Sequence, residues 1–533
     1  MNPLIVDALA SGRGKRQATR DVIGAGPRAV AGVLEGCGLA PTIFTAEGFL
    51  GGRKDFGGFD TLLVSGMSSD LTAIRRVISL WRKRNEGFVL LGGPVASEPE
   101  RALKKTRADL VVVGEGEQTL KEVLDLNFSE IDDERYSDIR GLAYNVGAET
   151  RFTGLRPFMR RGTYNDLKPS TRVITDYPLF HAARVYVEVL RGCSNYHRAG
   201  LADSEGLCIN CGSCREGSLE DRYYCPVGLP PGCGYCSVPS LYGPPKSRET
   251  GVVIQEVRAL LDMGVRRVVL SAPGFLDYGR DLLVEPEPLT DPRAPEPNYE
   301  VIEGLLSELT SLDQVIDGEA SVIMENIKGN LVTERAAKIL GRYLAGTPVN
   351  IGLETGSVRH SVLLGRASSP DENLMAVRRL KRAGMKPYVY FIHGLPGQSE
   401  ETVAVTVKAI KSSVQAGASR IILYRFQSLP MSAFAGHPTA PPTVREPLSK
   451  RIQEVAVNAN IRIKEKLVGT RLRVVLAEPY DKDRRKVVAY PLLHGPMVLV
   501  QGVDFEAGRV IEVKIQGFVS DRVVEGSPID AMF

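Results

Sequence analysis

Seven of the eight cysteines in this 533-residue chain fall between Cys193 and Cys236, a span of 44 residues. The eighth, Cys37, stands alone. Thiolates packed this densely bind metal, cycle redox states or pair as disulfides. A 4Fe–4S cluster that also holds a small molecule takes three thiolates and leaves one iron open, whereas a closed cluster or a structural zinc takes four. Three and four make seven. Cys208, Cys211 and Cys214 have the C-x2-C-x2-C spacing of ferredoxins. Cys225 follows with Pro226 after it, but ten residues separate it from Cys214 where ferredoxins have three. Cys233 and Cys236 close the span as "CGYC". Zinc is the competing chemistry: Cys208-x2-Cys211 and Cys233-x2-Cys236 approach zinc-ribbon spacing, at the cost of leaving three cysteines unused.

The rest of the chain bounds this chemistry. Lys plus Arg number 67 and Asp plus Glu 63, a formal excess of +4 that neither demands nor excludes an anionic partner. The start, "MNPLIVDALASGRGKR", has an Asp inside its apolar run and its bases after it, the reverse of a signal peptide. No apolar run approaches the ~18–20 residues of a membrane span. A soluble cytoplasmic chain is the expectation, and there clustered cysteines are metal or redox ligands rather than disulfides.

The elements that must position the thiols are α/β. "FDTLLVSG" (59–66), "EGFVLLGGP" (86–94) and "ADLVVVGEGE" (108–117) are apolar runs ending in Gly, alternating with amphipathic stretches such as "LTAIRRVISLWRKR". This predicts a doubly wound parallel sheet over 1–145, with a linker over 146–184. From 185 to 440 about six strand–helix units follow, fewer than the eight of a closed barrel, so a partial (βα)6 barrel is expected with function at the C-terminal ends of its strands. A Cys-rich insertion covers 197–231. A connecting helix over 441–466 leads to 467–533, whose alternating apolar and polar residues predict a small antiparallel β-barrel.

Three resemblances sharpen these expectations. "YVEVLRGC" and "CGYC" resemble the first strand and the cysteine motif of radical S-adenosylmethionine (SAM) enzymes, with 39 residues inserted between Cys193 and Cys233 where the family has only a few. The resemblance implies a SAM-binding 4Fe–4S cluster on Cys193, Cys233 and Cys236, and a second 4Fe–4S cluster on Cys208, Cys211, Cys214 and Cys225. A second partition stays open, with Cys225, Cys233 and Cys236 on the SAM cluster and Cys193 on the other. The strand preceding Cys193 favours the first. By the same resemblance Tyr235 precedes the last cysteine, Glu354 in "NIGLETGS" meets the SAM ribose, Arg366 pairs with its carboxylate, and Gly394, Pro396 and Gly397 in "FIHGLPGQ" pack near its adenine. His393 beside them has two readings, a contact to substrate and, the favoured one, a hydrogen-bonded structural residue. In "SAPGFLDYG" (271–279) the chain departs from the family's Gly-Gly-Glu-like stretch, so no amino-group ligand is assigned.

The N-terminal "LLGGPVASEPERAL…ADLVVVGEGEQTL" is similar to the cobalamin-binding domain of many such enzymes, implying a cobalamin pocket at Gly92, Gly93, Gly114 and Gly116. No His precedes His181, so a bound cobalamin has no His ligand from this domain. Methylthiotransferases have a related domain that supplies three cysteines, where this chain has only Cys37. The C-terminal segment resembles the TRAM domain of those enzymes, which implies RNA binding through Arg471, Arg473, Lys482, Arg484, Arg485 and Lys486. Together these imply an enzyme that uses a 5′-deoxyadenosyl radical to methylate or methylthiolate tRNA or another RNA, fed by a ferredoxin- or flavodoxin-type electron donor. The alternatives are a cobalamin-dependent methylase of a lipid, peptide or small molecule, and a non-catalytic iron–sulfur or zinc protein that binds RNA.

Overall fold

The computed structural model describes every residue except 17–19, 53–54, 127–132, 521 and 530–533. The chain forms two compact units, Met1–Val187 with Gln255–Val265, and Glu188–Ile254 with Arg266–Phe533.

In the first unit, strands β1 (Pro3–Asp7), β2 (Thr42–Thr45), β3 (Thr61–Ser65), β4 (Phe88–Gly92), β5 (Leu110–Val112), β6 (Leu142–Val146) and β7 (Glu149–Phe152) make one sheet in the order β2-β1-β3-β4-β5-β6-β7. The first five run parallel, and β6 and β7 add as an antiparallel hairpin that carries the sheet past residue 145. β1 is buried along its whole length, as a parallel strand covered by helices on both faces must be. The parallel order is the doubly wound one whose topological switch lies between β1 and β3, so the ligand crevice lies beyond their C-terminal ends. Asp70 braces that end: its buried carboxylate accepts from the backbone N–H of Ala10, Gly12 and Met67, satisfying a loop that would otherwise leave donors unpaired.

The chain enters the second unit through β8 (Arg184–Glu188). The parallel strands that follow are β9 (Arg267–Ser271), β10 (Ser321–Met324) continuing as β11 (Asn326–Ile327), β12 (Pro348–Glu354), β13 (Lys386–His393) and β14 (Arg420–Arg425). β9 pairs with β10, and β11 through β14 pair in sequence, all parallel. Glu325 bridges the two sets, donating its N–H to Leu270 O and accepting from Asn350 N–H. Along β13, Pro387, Val389, Phe391 and His393 are buried while the residues between them are half-buried, the period-2 alternation of a barrel strand with helices on one side and a lumen on the other.

The C-terminal strands β15 (Arg471–Pro479), β16 (Lys486–Pro491), β17 (Met497–Gln501), β18 (Val510–Phe518) and β19 (Val523–Pro528) close into a barrel of order β15-β16-β17-β19-β18. Its core is almost wholly aliphatic, with Val474, Leu476, Val487, Val498, Val513 and Ile515 buried. It seats on the N-terminal ends of the parallel strands. Ser321, at the start of β10, donates to Leu492 O at 2.6 Å, and Tyr388 Oη, near the start of β13, lies in hydrogen-bond contact with His494 Nδ1 at 2.7 Å.

Burial of His494 makes the seat acid-sensitive. Burial, with Lys386, Arg420 and Lys381 nearby, pushes His494 down from 6.5 to about 4. Between those values the unfolded chain binds more protons than the folded one, so stability falls as pH falls through the window. The full loss is on the order of 3 kcal/mol, from about 1.4 kcal/mol for each pH unit between the two values. Thermal unfolding should therefore shift downward between pH 7 and pH 4.5, and His494→Gln, which keeps an acceptor for Tyr388, should remove that part of the shift. An unchanged acid shift in the variant would assign it elsewhere.

Candidate functional site

Cys193 follows a two-residue clasp in which Leu190–Arg191 pair antiparallel with Lys246–Ser247. Gly192 has φ +87°, and a Cβ there would lie 2.3 Å from Pro244 O, so only glycine lets the chain turn here. Cys193 N–H then donates to Gly243 O at 3.0 Å. The loop is fixed from below by Asp277, which is fully buried and pairs with Lys328 and with Arg280 at 2.6 Å. Burial would raise its carboxyl, but the two cations prevail and hold it below its ordinary value. Both Asp277 and Lys328 also bond Ser194 Oγ. The departure at "SAPGFLDYG" is thereby explained: its acid is spent positioning the residue beside Cys193.

Asn195 joins the thiols. Its backbone N–H points at Cys193 Sγ at 3.5 Å, and its Nδ2 donates to Cys233 Sγ at 3.4 Å and to Gly365 O at 2.9 Å. Cys236 N–H donates to Cys233 O at 2.9 Å, curling the motif into a turn. Gly234 inside it is required, since a Cβ would lie 2.5 Å from the Phe434 ring. Cys236 is pushed up to about 12 by burial, then by the charges of Cys233 and Cys193. Three half-buried thiols grouped in this way, with Cys193 and Cys236 both pushed up by burial, fit a cationic iron centre, which holds its coordinating sulfurs as thiolates.

Beside them stand Tyr235, Glu354 and Arg366. Arg366 donates to Tyr235 Oη at 2.8 Å, to Gly352 O and to Cys233 Sγ at 3.5 Å, and lies 3.8 Å from Glu354. The capping box of Ser369 and Glu372, with Pro370 at the first turn, starts the helix that follows Arg366 and fixes its approach. Glu354 closes β12 at a register shift, with φ +67°, a left-handed backbone that a non-glycine residue adopts only under constraint. Burial pushes its carboxyl up to about 7 against the pull of Arg366 and the Tyr235 hydroxyl. Arg366 Nε and Glu354 Oε2 are buried without a hydrogen-bond partner. A guanidinium donor and a carboxylate acceptor left open side by side suit a ligand carrying both a carboxylate and hydroxyls.

The turn after β13 is packed by the protein itself. A Cβ on Gly394 would meet Ala440 Cβ at 2.2 Å, and one on Gly397 would meet Leu201 and His360. Pro396 O lies 2.8 Å from His360 Nε2. Side chains of this chain thus account for both glycines. His393 is buried, but its Nδ1 has no partner, contrary to the hydrogen-bonded role expected for it.

The other four thiols form a separate group. Cys208, Cys211, Cys214 and Cys225 line one cavity together with Arg198 and Asp221. Cys208 is pushed up to about 11 by burial and by Cys214 and Cys225. Cys208 and Cys211 lie on one short helical turn and Cys214 on the next, divided by Gly212 at φ +68°. Among the described residues no three His, Cys, Asp or Glu side chains are drawn into the tight array that one metal ion takes.

In the first unit, Gly93 and Gly116 are accounted for locally, since a Cβ would meet Gly66 O at 2.8 Å and Val112 at 3.0 Å respectively. Gly114 turns at φ +83°, and a Cβ on Gly92 would meet Val112 O at 4.0 Å, an ordinary contact. Glu115 of the same turn is consumed by Met159 N–H at 2.7 Å. The barrel's basic residues are partly neutralised: Arg473 pairs with Glu319, Arg485 with Asp483 and Lys486 with Glu525.

The family model of the Radical SAM superfamily matches residues 223–410. The match takes in Cys225, Cys233 and Cys236 and begins after Cys193, whereas Asn195 ties Cys193 to Cys233 and Cys225 lies with Cys208 and Cys214. An uncharacterized protein of Methanopyrus kandleri is 42% identical over 528 residues, 99% of this chain and 96% of that one. A tRNA-2-methylthio-N(6)-dimethylallyladenosine synthase of Pelobacter propionicus is 25% identical over 46% of this chain and 52% of its own. The radical S-adenosylmethionine methyltransferase TsrM of Kitasatospora setae, solved with cobalamin and a [4Fe-4S] cluster, shares the fold at TM-score 0.59 and 15% identity, over 83% of this chain and 80% of its own.

Proposed function

We propose, because the chain belongs to the radical SAM superfamily, that it transfers a methyl group to an unactivated carbon of tRNA or another RNA. The observation that carries this reading is the pairing of Cys193 and Cys233 on Asn195, with Cys236 one turn on from Cys233, next to the open atoms of Glu354 and Arg366. Those three thiols would hold the 4Fe–4S cluster, and Glu354, Arg366 and Tyr235 would hold SAM. When bound, the cluster supplies the electron that opens a carbon–sulfur bond of SAM. The chain's part is positional. Asn195 steadies two thiolates with N–H donors, Arg366 offers a carboxylate partner, and Glu354 offers a hydroxyl acceptor.

Methylthio transfer is the less favoured outcome. Sulfur delivery needs an iron with an open position, and outside the seven clustered thiols the chain has only exposed Cys37. The RNA part draws on the name of the Pelobacter propionicus relative and on the β-barrel with Arg471 and Arg484 exposed. One observation favours a second reading, a cobalamin-dependent methylase of a lipid, peptide or small molecule: ion pairs neutralise half of the six basic barrel residues. Cobalamin would sit at the C-terminal ends of the first unit's strands, where the Gly92, Gly93, Gly114 and Gly116 turns lie.

Protein purified and reconstituted without oxygen should cleave SAM, and the Cys233→Ala/Cys236→Ala variant should not. Retained cleavage in the variant would end the reading. Charge reversal at Arg471 and Arg484 should weaken tRNA binding and flatten its salt dependence, by about one unit of slope for each phosphate no longer neutralised. Unchanged binding would favour the second substrate class.

A further inference from the structure

The insertion between Cys193 and Cys233 places two thiol groups a few residues apart, and the segment joining them is Asn195–Arg198. At one end Asn195 bonds Cys233 and faces Cys193. At the other, Arg198 lines the cavity of Cys208, Cys211, Cys214 and Cys225. Three residue steps span at most about 11 Å of Cα–Cα separation. Between these ends, His197 Nδ1 lies 3.3 Å from Arg366 O and 3.2 Å from Arg215 Nη1.

Arg198 is the second, independent sign of a ligand. It is 3% exposed, its Nη2 donates to Arg222 O at 3.0 Å, and its Nε is buried with no partner. A buried cation with an unused donor beside four thiols is costly in an empty cavity and apt for an anionic, sulfur-rich guest. Four thiolates fill every iron of a cubane, so no open iron remains to deliver sulfur or bind substrate. Cys211 is exposed, so the group reaches solvent on one side while Arg198 seals it on the other.

We propose that Cys208, Cys211, Cys214 and Cys225 hold a second, closed 4Fe–4S cluster that relays single electrons across Asn195–Arg198 to the cluster on Cys193, Cys233 and Cys236. The proposal rests on the radical SAM reading. A low-potential one-electron protein carrier, of the reduced flavin or iron–sulfur class, supplies the electron. The four-thiolate site gains one electron from it and passes one on, ending each cycle in the state in which it began.

The test compares the full-length parent with Cys211→Ala/Cys214→Ala and with Arg198→Met. The parent should bind about eight irons and Cys211→Ala/Cys214→Ala about four. That variant should cleave SAM with dithionite, which reduces the remaining cluster directly, but slow at least about tenfold, or 1.4 kcal/mol, with reduced flavodoxin as donor. Arg198→Met should keep about eight irons and lower the midpoint potential of one cluster in a redox titration, because a nearby cation stabilises the reduced, more negative state. Zinc at the four thiols, equal slowing with both donors, or unmoved potentials in Arg198→Met would overturn the proposal. Failure of the radical SAM reading is distinct, since the parent would then cleave no SAM with either donor.

Discussion

Cys193→Ala should abolish SAM cleavage with any reductant, whereas Cys225→Ala should retain dithionite-driven cleavage within about tenfold, or 1.4 kcal/mol in the barrier. Two assignments compete for the third ligand. The superfamily match starts at residue 223 and so contains Cys225 but not Cys193. The geometry separates them. Cys193 shares Asn195 with Cys233, and its charge contributes to the raised thiol of Cys236. Cys225 contributes instead to the raised thiol of Cys208, in whose cavity wall it sits. Cys193 also stands directly after the clasp at Leu190–Arg191, so backbone and side chain agree on its direction. Measuring 5′-deoxyadenosine release and iron content for both variants decides the matter. Cleavage that survives in Cys193→Ala and vanishes in Cys225→Ala would transfer the ligand role.

Glu354→Gln should stabilise the fold and weaken SAM binding at the same time. The buried carboxyl, raised to about 7 by burial against Arg366 and Tyr235, costs stability once ionised. An acid whose folded value lies above its unfolded one loses folding free energy as pH rises from about 4.5 through 7, here on the order of 1–3 kcal/mol. The amide removes that loss, so the variant should melt higher than the parent at pH 8 and equal to it near pH 4.5. SAM should bind more tightly to the parent above pH 7, where the carboxylate can accept from a hydroxyl beside Arg366, with Tyr424 also near its field. That pH dependence should vanish in Glu354→Gln. Arg366→Lys should weaken SAM roughly 10- to 100-fold, because a point ammonium cannot serve Gly352 O, Tyr235 and a carboxylate together. A glutamine variant that melts lower at pH 8 would show that the carboxylate is structural rather than strained for binding.

Strands such as β3, β4 and β13 were legible because each is an apolar run ending at or just before a glycine, whereas β1 and β2 carry no such mark. "KPYVYFIH" is one strand as its alternation requires, and "TLLVS" and "FVLLG" sit one hydrogen-bonded row apart. The seven thiols were legible as two groups because spacing along one short insertion limits how they can meet. What could not be read were partners brought in from afar. Lys328 reaches Ser194 across 134 residues, and His360 meets Pro396 from another helix. Asn195 carries no spacing signal beyond standing two residues past a cysteine. Glu354 was legible as a residue type but not as a left-handed one, since nothing local marks a glutamate for φ +67°. Gly394 and Gly397, read from the sequence as a ligand cradle, also lie where a Cβ would meet Ala440, Leu201 or His360. Of the six basic residues of the C-terminal barrel, three stand beside Glu319, Asp483 and Glu525, which spacing along the sequence does not reveal.

The seating of that barrel sets a minimum reach for anything it helps to recognise. Ser321 and Tyr388 hold it where the parallel strands begin, and Glu354 stands where one of them ends. Five to seven strand residues separate the two levels, roughly 15–25 Å at the usual rise. A metabolite of ordinary size touches one level or the other. On the RNA reading, a polymer laid along the flank spans both levels, whereas a small-molecule substrate meets one.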